Sequence, residues 1–448
     1  MTKPFLTPTA PSAPTPARRS RAPRVRGLAA AGLVAVLVAA GCSTSTNEGS
    51  PLGDAGSKSP VTGGKAAPGA SIPATDTGGK LLPFTKGDFY APPTPLPKGR
   101  HGTLIRYQPI DSASFGASTT YRVMYLSRSV PGKAVAVTGT VVVPTAKATG
   151  DGRKMVTLSH GTSGIADECA PSKKPDGELA LLAPLVAKGF LLVETDYEGL
   201  GTPGRHPYLV GESEGRSVLD AALAAGSLPD AHAGKRVAIA GYSQGGHGAL
   251  WADQLARTWT PDLDVVGTFA GAPASEIGVI LQVAPKLPIT GFAFMIVAGI
   301  AAAYPDADPA TFLTPAGVAK LGLVDKGCVG QVIGAFGGTK PAELIRPDGP
   351  ASKPWAEIAK ENDAGQTKTD DPTLIIHSQA DDLVPISFSD ILQKRMCANG
   401  QVVERRILTD GQGHSAAAVP AYQQAIPWIE ARFDAGGPKA TSTCPGTK

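Results

Sequence analysis

No acidic residue occurs before Gly41, no two cysteines stand at metal-ligand spacing, and no segment of the 448 residues repeats another. Neither apolar stretch that raises the question of a membrane span reaches the roughly 20 residues that a span needs. These absences narrow the field. Without His/Cys ligand spacing a structural metal site is not indicated, and without a repeat a solenoid is excluded. The one-sided charge of the N-terminus is itself informative. Lys3, Arg18, Arg19, Arg21, Arg24 and Arg26 are its only charges, and the apolar run Gly27 to Ala40 follows them, which is the shape of an export signal.

That run ends in Val38-Ala39-Ala40-Gly41-Cys42, small residues directly before a cysteine. The pattern resembles a bacterial lipobox, in which the Cys is lipidated and becomes the mature N-terminus, so Cys42 is the expected lipidation site. The pair Arg18-Arg19 suits twin-arginine export as well as an ordinary basic leader. Removing the six leader charges from 42 basic residues leaves 36 against 38 acidic ones, a net of about −2, so a nucleic-acid partner is not indicated. Beyond Cys42 the cysteines are Cys169, Cys328, Cys397 and Cys444, an even number in an exported chain, which points to two disulfides. Of the three connectivities, Cys169 with Cys328 and Cys397 with Cys444 is the expected one.

Residues 1–41 therefore read as a lipoprotein signal and 42–85 as a flexible tether of Ser, Thr, Gly, Pro and Lys. Thr120 to Ser127 and Ala134 to Val143 flank Val130-Pro131-Gly132-Lys133 and predict an antiparallel hairpin. Short apolar runs then recur at Met155 to Leu158, Phe190 to Val193, Val237 to Ala240, Val265 to Phe269 and Leu374 to Ile376. Runs of this kind are strands buried on both faces. Glu178 to Lys188, Arg216 to Ala225 and Gly246 to Arg257 are the helices expected between them, giving an α/β class with a mostly parallel sheet and helices on both faces. The rhythm fails across 273–365, read as a helical cap inserted between two parts of the core, 86–272 and 366–436, with a tail at 437–448. Ile277 to Tyr304 is apolar, but Pro285, Lys286 and Pro288 interrupt it, which favours a cap over a membrane-dipping segment.

Two G-x-S-x-G pentapeptides occur, Gly211 to Gly215 around Ser213 and Gly241 to Gly245 around Ser243. Only Ser243 follows a buried run, Val237 to Ala240, and precedes a glycine-rich helical stretch. A nucleophile on a strand-to-helix turn needs small flanking residues, and the turn aims the next backbone N–H, that of Gln244, at an oxyanion. In the chain order nucleophile, acid, histidine, His414 alone follows the acid candidates. It lies in the loop-like Asp410 to Ser415. His247 and His377 read as hydrogen-bonded packing histidines. The acid is Asp381, at the end of the strand Leu374 to Ile376, while Asp382 reads as charge at the start of the helix that Pro385 opens. Gly161 or Thr162, in the loop Ser159 to Gly164, supplies the second oxyanion donor, with His160 orienting that loop.

The motifs Gly-Tyr-Ser-Gln-Gly-Gly at 241–246, Thr-Asp-Tyr-Glu-Gly-Leu-Gly at 195–201 and Asp-Asp-Leu-Val-Pro at 381–385 resemble the secretory lipase family, over about Lys86 to Phe433. The resemblance implies an α/β-hydrolase fold with a helical cap, a triad of Ser243, Asp381 and His414, no cofactor, and an ester or lipid as small-molecule substrate. It also matches Asp196 and Tyr197 to a family signature, for which the residues themselves suggest a structural role. The expected reaction is hydrolysis of carboxylic esters through an acyl-enzyme. An acyltransferase or peptidase using the same triad, or a lipoprotein that binds a hydrophobic ligand without catalysis, are the alternatives. Export to the outer face of the cell membrane, held by the lipid anchor, or release from the cell, is the expected location.

Overall fold

The computed structural model describes residues 81–446 apart from 82, 149, 288, 435 and 438. The leader, nearly all of the tether and the lipidation expectation at Cys42 lie outside the described residues. The expected hairpin is present as β2 (Ser118–Arg128) and β3 (Ala134–Pro144), paired antiparallel in unbroken register. It is preceded by a strand that the sequence does not announce, β1 (Leu104–Ile110), antiparallel to β2. β1 mixes Arg106, Gln108 and Pro109 with apolar residues and lies at the edge of the sheet. An edge strand tolerates such residues because one rim of its backbone needs no ladder partner.

The apolar runs become β4 (Arg153–Ser159), β5 (Leu191–Thr195), β6 (Ala233–Tyr242), β7 (Asp264–Gly271), β8 (Thr373–Ser378) and, last, β9 (Val403–Leu408). Among the described residues these strands form a single nine-stranded sheet in the order β1-β2-β3-β5-β4-β6-β7-β8-β9, with β4 to β9 parallel. The chain leaves β4 for β5 on one side and returns to β6 on the other. That reversal opens a crevice beyond the carboxyl ends of β4 and β6, the usual place for a ligand in such sheets.

Helices cover both faces. The expected helix at Glu178 to Lys188 is instead a 3₁₀ stretch, Glu178–Leu182, followed by only the short α1 (Ala183–Val186). Pro184 accounts for the break, since it has no N–H to bond the Ala180 carbonyl in an α-helical register. α2 (Gly211–Ala225) and α3 (Gln244–Trp259) are full crossover helices. Their alanines and leucines pack with Val137, Met155, Val193, Val237 and Ile239 on one face of the sheet. Between β7 and β8 runs an all-helical segment: α4 (Ile277–Val283), α5 (Thr290–Ala303), α6 (Pro309–Phe312), α7 (Pro315–Lys320), α8 (Val329–Ala335), α9 (Pro341–Leu344) and α10 (Trp355–Glu361). α5 is apolar on all sides because its neighbours enclose it, with Phe294 4.5 Å from Phe336. No helix among the described residues is long and apolar enough to cross a membrane. α11 (Ile386–Ala398) and α12 (His414–Arg432) complete the chain, and α12 packs Tyr422, Ala425 and Ile429 on the opposite face of the sheet.

Among the described residues two disulfides are present, Cys169–Cys328 and Cys397–Cys444. The first fastens the segment after β4 to the start of α8. The second ties the end of α11 to the C-terminal segment.

Candidate active site

Ser243 occupies the junction of β6 and α3 with φ 60° and ψ −118°, a backbone state that a residue with a side chain holds only when its surroundings impose it. Its N–H donates to the Gly271 carbonyl at 2.8 Å. A Cβ at Gly241 would collide with the Gly245 carbonyl, and one at Gly245 with the Ser159 carbonyl. Strand and helix therefore meet at a distance that only glycine permits, and the serine hydroxyl is left at the tip of the turn.

His414 Nε2 lies 2.8 Å from Ser243 Oγ, and His414 Nδ1 lies 2.7 Å from Asp381 Oδ2. His414 is not inside the loop suggested by its glycine-rich context. It is the first residue of α12, with Gly413 as the cap. Asp381 follows β8, and its side chain is fully buried. Its Oδ1 accepts the N–H groups of Leu383 and Val384 at 3.0 and 2.7 Å. Burial alone would raise this carboxyl, but hydrogen bonds from His377 and His414 outweigh it and hold Asp381 well below the usual carboxylate range.

His377 thus does more than pack. The Ser389 hydroxyl lies 2.5 Å from its Nδ1, and its Nε2 lies 2.9 Å from the Val384 carbonyl and 3.2 Å from Asp381 Oδ2. With Ser389 donating to Nδ1, the Nε2 proton of His377 lies between the Val384 carbonyl and the Asp381 carboxylate. Asp382 is also placed differently from the expectation. Its Oδ1 accepts the backbone N–H of His414 at 2.8 Å, so it caps α12 rather than the helix after Pro385.

The two residues considered for the second oxyanion donor are distinguished by one contact. The Gly161 N–H donates to Glu178 Oε2 at 2.6 Å and is thereby spent, which removes Gly161 from that role. Thr162 is the remaining candidate, its hydroxyl fixed by Tyr208 at 2.8 Å. Glu178 also accepts from the Tyr422 hydroxyl at 2.6 Å. Burial raises its carboxyl to about 7 against the lowering effects of Tyr422, the Gly161 N–H and His414. His160 Nδ1 lies 2.6 Å from the Gly161 carbonyl, and burial pushes the His160 ring down to about 4, so it is neutral at physiological pH. Tyr197 holds the same loop through its hydroxyl, which donates to the His160 carbonyl at 2.8 Å and meets Ser159 Oγ at 2.7 Å. Asp196 binds the N–H and hydroxyl of Ser172 and the Thr138 hydroxyl, which fixes the segment beside Cys169.

The second pentapeptide is part of the mount. Ser213 is 1% exposed inside α2, and its hydroxyl donates to Glu198 at 2.7 Å. Gly211 and Gly215 are needed for packing, because a Cβ on either would strike Trp251 or the Ala252 backbone of α3. Glu214 accepts from Gln244 Nε2 at 2.8 Å, lies 2.7 Å from His247 Nδ1, and accepts the Leu209 N–H at 3.1 Å. Gln244 Nε2 also donates to His206 Nε2 at 2.9 Å, where burial keeps the ring neutral by lowering it to about 3. The residue after Ser243 is therefore held by its side chain, with its backbone N–H unconstrained by the helix it begins.

Ser243, His414, Gly161, Thr162, Glu178 and Glu194 border one cavity of about 630 Å³, which Phe292, Val329 and Ile333 of the helical segment between β7 and β8 also line. The hydroxyl, imidazole and carboxylate in series can generate an alkoxide nucleophile, and the pocket can admit an acyl group beside it. Among the described residues no cluster of three or more His, Cys, Asp or Glu could hold a metal ion.

The chain is 25% identical over 405 residues to Lipase A of Moesziomyces aphidis, covering 84% of this chain and 86% of that one. It is 26% identical over 247 residues to a probable inactive lipase of Mycobacterium tuberculosis, covering 50% of this chain and 54% of that one. The crystal structure of Candida antarctica lipase A in its closed state superposes with a TM-score of 0.66 at 22% identity, over 76% of this chain and 84% of that one, which shows the α/β-hydrolase fold. The family profile described as secretory lipase matches residues 174–441, and the chain belongs to that family.

Proposed function

We propose that the protein is an exported serine hydrolase of carboxylic esters, including lipid esters such as acylglycerols, and that it works through an acyl-enzyme on Ser243. The observation that carries this reading is the continuous hydrogen-bonded series Ser243–His414–Asp381 at the mouth of the cavity. In the forward half-reaction His414 Nε2 takes the hydroxyl proton as Oγ attacks the ester carbonyl, and the oxyanion that forms is held by the N–H groups of Gln244 and Thr162. His414 then gives its proton to the departing alcohol. Water, deprotonated by the same imidazole, releases the acid. Asp381 keeps the His414 proton on Nδ1 and stabilises the transient imidazolium, and His377 keeps Asp381 in place. The helices from Ile277 to Glu361 serve as a cap over the acyl group. Two disulfides and membership of a secretory family support export, and a lipid on Cys42 would keep the enzyme at the membrane.

Ser243→Ala is expected to lower kcat for p-nitrophenyl butyrate by as much as ~10⁶-fold and to abolish labelling by a fluorophosphonate. Ser213→Ala should retain both properties. A wild-type protein that neither hydrolyses the ester nor takes up the label would instead be a ligand-binding relative, and a labelled Ser243→Ala would place the nucleophile elsewhere.

A further inference from the structure

Three successive residues of the loop after β4 have different partners. The Gly161 N–H is spent on Glu178 and the Thr162 hydroxyl on Tyr208, whereas the Ser163 carbonyl accepts the N–H of Val329, the first residue of α8, at 2.8 Å. Gly164 then runs against α8 with φ 129°, and a Cβ there would come within 2.9 Å of Cys328 Cα and 3.0 Å of Cys169 Sγ. Only glycine allows so close an approach in that backbone state. The Cys169–Cys328 bond closes the contact covalently, and Cys169 borders the same cavity as Thr162, Ser163 and Ser243. This bond therefore stands at the wall of the cavity, whereas Cys397–Cys444 joins the end of α11 to the C-terminal segment.

α8 is a firm support for that loop. Val332 and Phe336 are buried in the interior of the helical segment between β7 and β8, and the Phe336 ring lies 4.5 Å from that of Phe294 on α5. A backbone N–H that stabilises an oxyanion has to be fixed beforehand, to within about 0.5 Å, because its advantage over water comes from needing no rearrangement during the reaction. Thr162 is directly followed by the residue bonded to Val329 and then by the Gly164 contact. With Cys169–Cys328 cut, the junction of loop and helix would rest on that hydrogen bond and on packing at Gly164, and water competes for a single hydrogen bond.

We propose that Cys169 and Cys328 are positioning residues for the oxyanion hole: their bond clamps the loop to α8 and thereby fixes the Thr162 N–H toward the tetrahedral centre. This inference rests on the ester-hydrolase reading given above. The test measures kcat and KM for p-nitrophenyl butyrate in the full-length wild type, in Cys169→Ser/Cys328→Ser and in Cys397→Ser/Cys444→Ser, at a temperature where circular dichroism shows each protein folded. Expressing kcat per serine labelled to completion by a fluorophosphonate removes any unfolded fraction from the comparison. Cys169→Ser/Cys328→Ser should lose about 10- to 100-fold in kcat with KM little changed, because the oxyanion exists only in the transition state and a displaced donor costs less than the roughly 10²–10³ of a deleted one. Cys397→Ser/Cys444→Ser should keep the wild-type kcat. Should Cys169→Ser/Cys328→Ser fail to fold, Gly164→Ala with both disulfides intact pushes loop and helix apart at the same contact and should show the same fall in kcat. Wild-type kcat per labelled serine in whichever of these two variants is folded would overturn the clamp and leave the hydrolase reading intact. So would a rise in KM at constant kcat, which would assign the bond to substrate binding, or equal kcat losses in the two disulfide variants, which would make the effect a general one of cross-link removal. A wild type that neither hydrolyses the ester nor takes up the label would overturn both readings.

Discussion

Replacing Glu178 by Gln should change how stability depends on pH. The carboxyl is raised from 4.5 to about 7, chiefly by burial. At 1.36 kcal/mol per pH unit the difference corresponds to about 3 kcal/mol, a ceiling because the side chain also borders the cavity. The folded value lies above the unfolded one, so the associated stability is present in full below about pH 4.5 and is lost as the pH rises through about 7. Glutamine cannot ionise, and its amide matches the site: the oxygen can accept the Gly161 N–H, and the NH₂ can donate to the Tyr422 oxygen. Urea unfolding at intervals from pH 5 to pH 9, with the disulfides intact, measures the effect. Wild type should lose up to about 3 kcal/mol more than Glu178→Gln across that range. Parallel curves for the two proteins would refute the reasoning, since the other buried acids are common to both.

Two further perturbations separate roles that lie close together in the chain. Asp381→Asn should lower kcat for p-nitrophenyl butyrate by about 10⁴-fold through loss of the correct imidazole tautomer. Asp382→Ala should cost about 1 kcal/mol in thermal melts through loss of the cap on α12, with a much smaller loss of kcat. The reverse order of kcat losses would exchange the two assignments. Cys169 and Cys328 are separated by 159 residues, and the double serine variant should lose roughly 2–5 kcal/mol of stability. Limited proteolysis should then cut first between Ile277 and Glu361, and unchanged protection there would argue against a role for this bond in holding the cap.

The parts of this protein that were legible in sequence are those whose physics is local. The buried strands show as apolar runs, the elbow as glycines around a serine, and the order Ser243, Asp381, His414 as a consequence of the fold class. What escaped depends on contacts between distant segments. That Glu178 occupies the Gly161 N–H and that Glu214 holds Gln244 both require the folded arrangement, because nothing within a window of a few residues distinguishes these from ordinary buried polar groups. β1 escaped because edge strands need not be apolar. The helix expected from Glu178 is shorter than its apolar pattern suggests, because Pro184 cannot supply the N–H that an α-helical bond to Ala180 needs. The unexpected placing of Asp382 has the same origin, since its partner is 32 residues away.

The bonds of Glu214 bear on how this protein would lose the proposed activity on heating. A single carboxylate links the turn at Leu209, the Gln244 side chain and His247, while the glycines on either side of it let α2 lie directly against α3. The reactive turn is thus anchored to a helix outside the sheet. Slackening of α2 would let Ser243 relax from its strained backbone state while the strands stayed paired, so activity would disappear at a lower temperature than the signal of the sheet.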